Sequence, residues 1–175
     1  MPDDDPGFGQ GLPFPDLGLL GVVQSTVLLA AVMARIPLGL SGPDLALAWL
    51  FLFAACLGGV LMGLFLSSLT ASAEQAMSLV SVVLILQIVL SGAFVRPEAM
   101  PEPVSTLSVL AVSRWCFAGM ATLAHLNDRL LELGLPYAGV DFFVPAGQLF
   151  LVLGPLLALH FVLAAVALRW REGRS

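Results

Sequence analysis

LALAWLFLFAACLGGVLMGLFLSSLTASAEQAMSLVSVVLILQIVLSGAFV, residues 45–95, carries a single charged side chain, Glu74. A helix needs about 20 mostly apolar residues to cross a hydrocarbon core about 30 Å thick. The stretch holds two such runs, residues 45–66 and 76–95, parted by the polar joint Ser72-Ala73-Glu74-Gln75-Ala76. Working outward, residues 17–34 form a third run, closed by Arg35 and the breakers Pro37, Gly39, Gly42 and Pro43. A fourth, residues 142–168, stops at Arg169-Trp170-Arg171, an aromatic and basic pair of the kind that anchors a span at the interface. The sequence therefore predicts an all-α, polytopic transmembrane bundle of four spans.

Composition excludes most alternatives. Of 175 residues 59% are hydrophobic and 11% charged, with a mean hydropathy of +0.99, far from the roughly 25% charged content of a soluble domain. Seven basic residues, all Arg, stand against twelve acidic ones, with no basic cluster to neutralise nucleic-acid phosphates. The absence of lysine excludes a phosphate loop of the G-x-x-x-x-G-K-[ST] type and Schiff-base chemistry. Cys56 and Cys116 are too few for a disulfide framework and too far apart for a C-x-x-C site.

Residues 1–16 are rich in Gly, Pro and Asp and predict a flexible acidic lead-in without the basic start of a secretory signal. Residues 17–171 then form the membrane domain, and 172–175 a tail. The unusual part is residues 96–141. Residues 104–112 and 115–126 are apolar but short, with Ser113-Arg114 between them. One straight span would put Arg114 at its middle, at about 2.5–3.5 kcal/mol on insertion scales. Two re-entrant or interfacial helices resting on protein avoid that cost and are the preferred reading. Positive charges barely choose an orientation: Arg169, Arg171 and Arg174 face Arg35, Arg96, Arg114 and Arg129.

Polar and small residues inside spans are the functional candidates. Ala55, Gly59, Gly63 and Ser67, four apart, make a helix-packing seam, either within the bundle or toward a second chain. Gln87 and Ser91 lie one turn apart in residues 76–95, and a stripe of this kind either lines a cavity or bonds a neighbouring helix. Ser78 and Ser81 lie on a roughly opposite face, and Gln24, Ser25 and Thr26 cluster in the first span. His160 has only His125 as a companion and no Cys or carboxylate at ligand spacing, so a structural hydrogen bond outweighs metal binding or proton relay. Glu98, Glu102, Asp128, Glu132 and Asp141 read as solvated, and no Ser/His/Asp set stands at a useful spacing.

The order of pieces carries a further signal. Gly63-Leu64-Phe65-Leu66-Ser67-Ser68-Leu69 ends a small-residue span, the polar joint follows, and the next span ends Leu90-Ser91-Gly92-Ala93-Phe94-Val95. RPEAMPEP and then Ser113-Arg114-Trp115 come after it. From 17 to 171 this resembles the membrane domain of type-2 ABC exporters, especially the G-subfamily half-transporters and their bacterial relatives.

The resemblance implies that the four spans match the third to sixth of six, that residues 96–141 are the family's extracellular region, and that the C-terminus is cytoplasmic in a plasma or inner membrane. It places Gln87, Ser91 and Phe94 on the substrate cavity, because the family's transport path runs along its second and fifth spans. It implies ATP and Mg on a nucleotide-binding partner domain, no cofactor in this chain, and a second permease half in a homo- or heterodimer. The first two spans, the coupling helix between the second and third, and the usual N-terminal ATPase domain have no counterpart before Leu17, so the chain is expected to be a C-terminal portion. The leading expectation is an exporter permease for an amphipathic or lipid-like substrate, without covalent chemistry of its own. Behind it stand a truncated accessory subunit that dimerises with a complete transporter, and an intramembrane enzyme using His160.

Overall fold

The computed structural model describes residues 14–36, 38–95, 99–135 and 144–172. Arg96, Pro97, Glu98, Asp141 and the tail beyond Glu172 lie outside the described residues, as does most of the lead-in. The described residues form seven helices and no strand: α1 (Phe14–Arg35), α2 (Gly42–Leu69), α3 (Ala73–Leu90), α4 (Glu102–Ser108), α5 (Val112–Leu123), α6 (Leu126–Glu132) and α7 (Ala146–Glu172). Four of them, α1, α2, α3 and α7, are long and apolar enough to cross a membrane. The fold is an all-α polytopic bundle.

Local chemistry sets the ends of the central helices. Ser41 precedes Gly42 and Pro43, and its hydroxyl donates to Asp44 Oδ2 at 2.5 Å. Proline is tolerated here because the first N–H groups of a helix lack partners in any case. At α3, the Ser72 side chain accepts from the Gln75 N–H at 3.3 Å, half of a capping box. The same helix stops at Leu90, five residues short of the apolar run that the sequence offers. Ser91 caps it and Gly92 turns the chain at φ +84°, a left-handed conformation that glycine adopts without penalty. Helix α1 begins at Phe14, ahead of the apolar run that the sequence opens at Leu17.

Helix α2 is the central post, packed against α7, α1 and α5. Phe51, fully buried, stacks on Phe150 of α7 with centroids 4.9 Å apart, and Leu149, Leu153 and Leu156 complete the core. Against α1, the buried faces of Gly21, Ser25 and Leu29 recur every fourth residue. Trp49 Nε1 donates to Thr26 Oγ1 at 3.0 Å, and Thr26 donates onward to Val22 O at 2.7 Å. Ser25, buried, donates to the same carbonyl at 3.1 Å. Two of the three polar residues of the first span are thus spent on helix packing, while Gln24 stays exposed.

Helices α4 and α5 meet at 77°, not as one straight span. Val109, Leu110 and Ala111 join them, and Ala111, the N-cap of α5, is extended. Arg114 stands at this corner: Nη1 donates to Ser105 O at 3.4 Å and to the Ser108 hydroxyl, and the guanidinium lies 5.5 Å over the Trp115 ring. Trp115 Nε1 donates back to Val109 O at 2.8 Å. The arginine that would have burdened a straight span instead ties the bend together.

Candidate functional site

Between α2, α3 and α5 lies a cavity of about 550 Å³ with almost entirely apolar walls. Ala55, Gly59 and Gly63 of α2 line one side, and their small side chains make the room. Val80, Leu84 and Gln87 of α3, with its cap Ser91, form the second wall; Ser113, Cys116 and Met120 of α5 form the third. Three polar residues, Gln87, Ser91 and Ser113, gather at one end. A polar group exposed to hydrocarbon without a partner costs several kcal/mol, so their clustering is informative.

Each is held. Ser91 donates to Ile88 O at 2.6 Å and accepts from the Ala93 N–H at 3.2 Å, which shapes the turn after α3. The Ser113 hydroxyl lies 2.7 Å from both Gln87 O and Gln87 Oε1, tying the first turn of α5 to the last of α3. On the other face of α3, Ser81 bonds its own backbone at Met77 O, 2.9 Å, and Ser78 is exposed.

The small residues of α2 divide between two tasks. A Cβ on Gly58 would come within 2.9 Å of Val112 of α5, so close packing falls on Gly58. At Gly59 and Gly63 a Cβ would meet nothing within 4 Å. Successive helix residues point about 100° apart, so the row through Gly59 looks into the cavity while Gly58 touches α5. Ala55, Gly59 and Gly63 of the seam read from the sequence line this cavity. Ser67, at the seam's end, is exposed and outside the lining.

The structure brings Gln87 and Ser91 together with Ala55, Gly59 and Gly63. Phe94 does not join them: it is 69% exposed and outside the lining, although its neighbour Ala93 lines the cavity. The third wall was missed in the sequence. Its signal was present in α5, where Val112, Cys116 and Gly119 are buried at helical spacing and Gly119 seats the Phe51 ring 2.7 Å from where its Cβ would be.

The histidines are engaged separately. His160 is buried and its Nδ1 lies 2.8 Å from Leu156 O, one turn back on its own helix. His125 is exposed in a left-handed conformation at φ +49°, with Nδ1 3.6 Å from Asp128. Among the described residues no group of three His, Cys, Asp or Glu could hold a metal ion.

Apolar helices of membrane-crossing length border this cavity, and a bent helix pair precedes the last of them. The sequence model of the family described as ABC-2 type transporter matches residues 17–123, more than half of the chain, and the chain belongs to that family. The match takes in α1 to α5 and so the whole cavity. The chain is also similar to the ABC transporter ATP-binding/permease protein Rv1747 of Mycobacterium tuberculosis (strain ATCC 25618 / H37Rv), 32% identical over 114 residues. That alignment covers 62% of this chain and 13% of the relative, so the chain spans a small part of the protein it matches. No solved structure matches it. The chain is a multi-pass membrane protein and a permease part of an ABC transporter.

Proposed function

We propose that the chain forms part of the wall of an ATP-driven exporter for an amphipathic or lipid-like substrate, with ATP and Mg bound and hydrolysed on a partner nucleotide-binding domain. The observation that carries this reading is the cavity of about 550 Å³ between α2, α3 and α5, apolar except for polar groups at one end. Such a volume suits a small amphiphile, whose tail gains from apolar burial and whose head needs a few placed polar partners. A second permease half would complete the path, and ATP binding would bring the halves together and change the side from which the cavity opens. The C-terminus is then cytoplasmic, in a plasma or inner membrane, and the α4–α5 pair is re-entrant from the outer side.

The test is reconstitution. The tagged chain is purified from its own membranes with whatever ATP-binding protein accompanies it or is fused to it, and placed in liposomes with a fluorescent short-chain lipid. Export predicts ATP-dependent movement of the lipid between leaflets, abolished when the ATPase site is disabled. ATP hydrolysis without lipid movement, across a panel of amphiphiles, would remove the reading.

A second reading has its own observation. Gly59 and Gly63 have open space around them, so the Ala55-Gly59-Gly63 face is free to receive another membrane helix. An accessory subunit that dimerises with a complete transporter would use it in this way. Copurification of a full-length permease, lost on Gly59→Trp, favours that alternative.

A further inference from the structure

The described walls of this cavity carry no charged side chain, and the packing of α5 on α2 places its polar groups deep in the membrane. Helices α2, α3 and α5 hold one charged side chain apiece, Asp44, Glu74 and Arg114. None of the three lines the cavity. Asp44 and Glu74 lie in the first turns of their helices, at the ends of the spans. Arg114 is engaged with α4, where its guanidinium donates to Ser105 O and to the Ser108 hydroxyl. The lining hydroxyls already bond within the protein, Ser91 to Ile88 O and Ser113 to Gln87.

The depth follows from two close contacts. A Cβ on Gly58 would stand 2.9 Å from Val112, and one on Gly119 would stand 2.7 Å from the Phe51 ring. Numbers fall along α2 as they rise along α5, so the two helices run antiparallel and α5 starts beside the middle of α2. Gly58 is 11 residues from Leu69 and 16 from Gly42, about 16 Å and about 24 Å at about 1.5 Å per residue. By the same rise α2 is about 42 Å long, about 12 Å more than a hydrocarbon core of about 30 Å. Both distances exceed that surplus, so Gly58 and Val112 lie within the hydrocarbon wherever the bilayer sits along α2. Ser113 follows Val112 and bonds Gln87, which puts that pair at a similar depth. An ion brought there loses its water and meets no opposite charge on the described walls, so its desolvation goes uncompensated. A neutral hydroxyl, ester or amide loses far less.

Resting on the amphiphile reading of this cavity, we propose that it admits its ligand only in uncharged form: a non-ionic amphiphile whose polar part is a hydroxyl, ester or amide. Lipids with a fixed charge, such as a sulfonate or a quaternary ammonium, are excluded. An apolar pocket separates similar apolar groups only weakly, whereas an unpaired buried charge separates ligands of equal size.

The experiment uses the transporter assembly in lipid nanodiscs and three photoreactive probes. All carry the same long diazirine chain, with a glycerol ester, a sulfonate or a trimethylammonium as head group. Labelling is mapped by mass spectrometry, and the readout is labelling of α3 and α5 peptides divided by that of α1, whose exposed Leu19 and Leu20 lie outside the cavity. That division cancels the different concentrations of the probes in the bilayer. The expected ratio for the glycerol ester exceeds that of either charged probe by about tenfold or more. Leu84→Glu puts an acid in the α3 wall and raises the trimethylammonium ratio; Leu84→Gln, the uncharged control of the same shape, does not. A charged probe that matches the glycerol ester in the unaltered protein overturns the proposal and leaves the cavity as an amphiphile site, as does a trimethylammonium ratio equal in the two variants. If none of the three probes labels α3 or α5 above α1, the amphiphile reading itself falls.

Discussion

Gly58 and Gly59 are neighbours in the chain and opposites in role. The first is pressed against Val112, the second borders open space, and Gly119 is pressed against the Phe51 ring. Overpacking a tight contact costs about 1–3 kcal/mol, while alanine in open space on a helix costs nothing and gains helix propensity. We therefore expect Gly119→Ala to lower stability by about 1–3 kcal/mol and Gly59→Ala to leave it unchanged or slightly raised, measured by denaturant unfolding in detergent. The reverse order would mean that the α2–α5 contact is misplaced. The sequence made the small residues conspicuous but not their facing, because one step along a helix turns a side chain by about 100° and only the position of α5 decides which row it meets. The Ser113–Gln87 link was hidden for a similar reason. It joins residues 26 apart in sequence through a bend that no local pattern specifies.

At the scale of elements, span-length apolar runs were legible because a bilayer requires them, and α1, α2, α3 and α7 fall close to the runs read from the sequence. Their ends were less legible. Residues 76–95 are apolar throughout, yet the helix closes at Leu90, since Ser91 and Gly92 offer a cap and a left-handed turn that hydropathy does not register. The resemblance groups Phe94 with Gln87 and Ser91 on one span; the helix ends at Leu90, and Phe94 beyond it is exposed. The bend between α4 and α5 belongs to this scale too. With Arg114 bonded to Ser105 and Ser108 across the corner, the pair is expected to enter and leave on one side of the membrane. Single cysteines at Glu102 and Leu131, both exposed, should then react with a membrane-impermeant maleimide from the same side of oriented vesicles. Reaction from opposite sides would make α4 and α5 a broken fifth span.

For the whole molecule, the sequence established a multi-pass helical protein and, through the order of its pieces, its relation to ABC-2 type transporters, which the family match over residues 17–123 shows. It did not show the cavity, whose three walls come from helices separated by turns and a bend. Gly59→Trp separates the two functional readings, because an indole there fills the space between α2, α3 and α5. An exporter wall predicts lost transport with the assembly intact; an accessory subunit predicts lost assembly. The central claim is that this cavity changes sides with nucleotide. The direct measurement places a cysteine at Ser91 in an otherwise cysteine-free assembly and follows its reaction with an impermeant maleimide added to either face, with and without a trapped ATP analogue. The account predicts reaction from the cytoplasmic face without nucleotide and from the outer face with it. Reactivity from the same face in both states would contradict it.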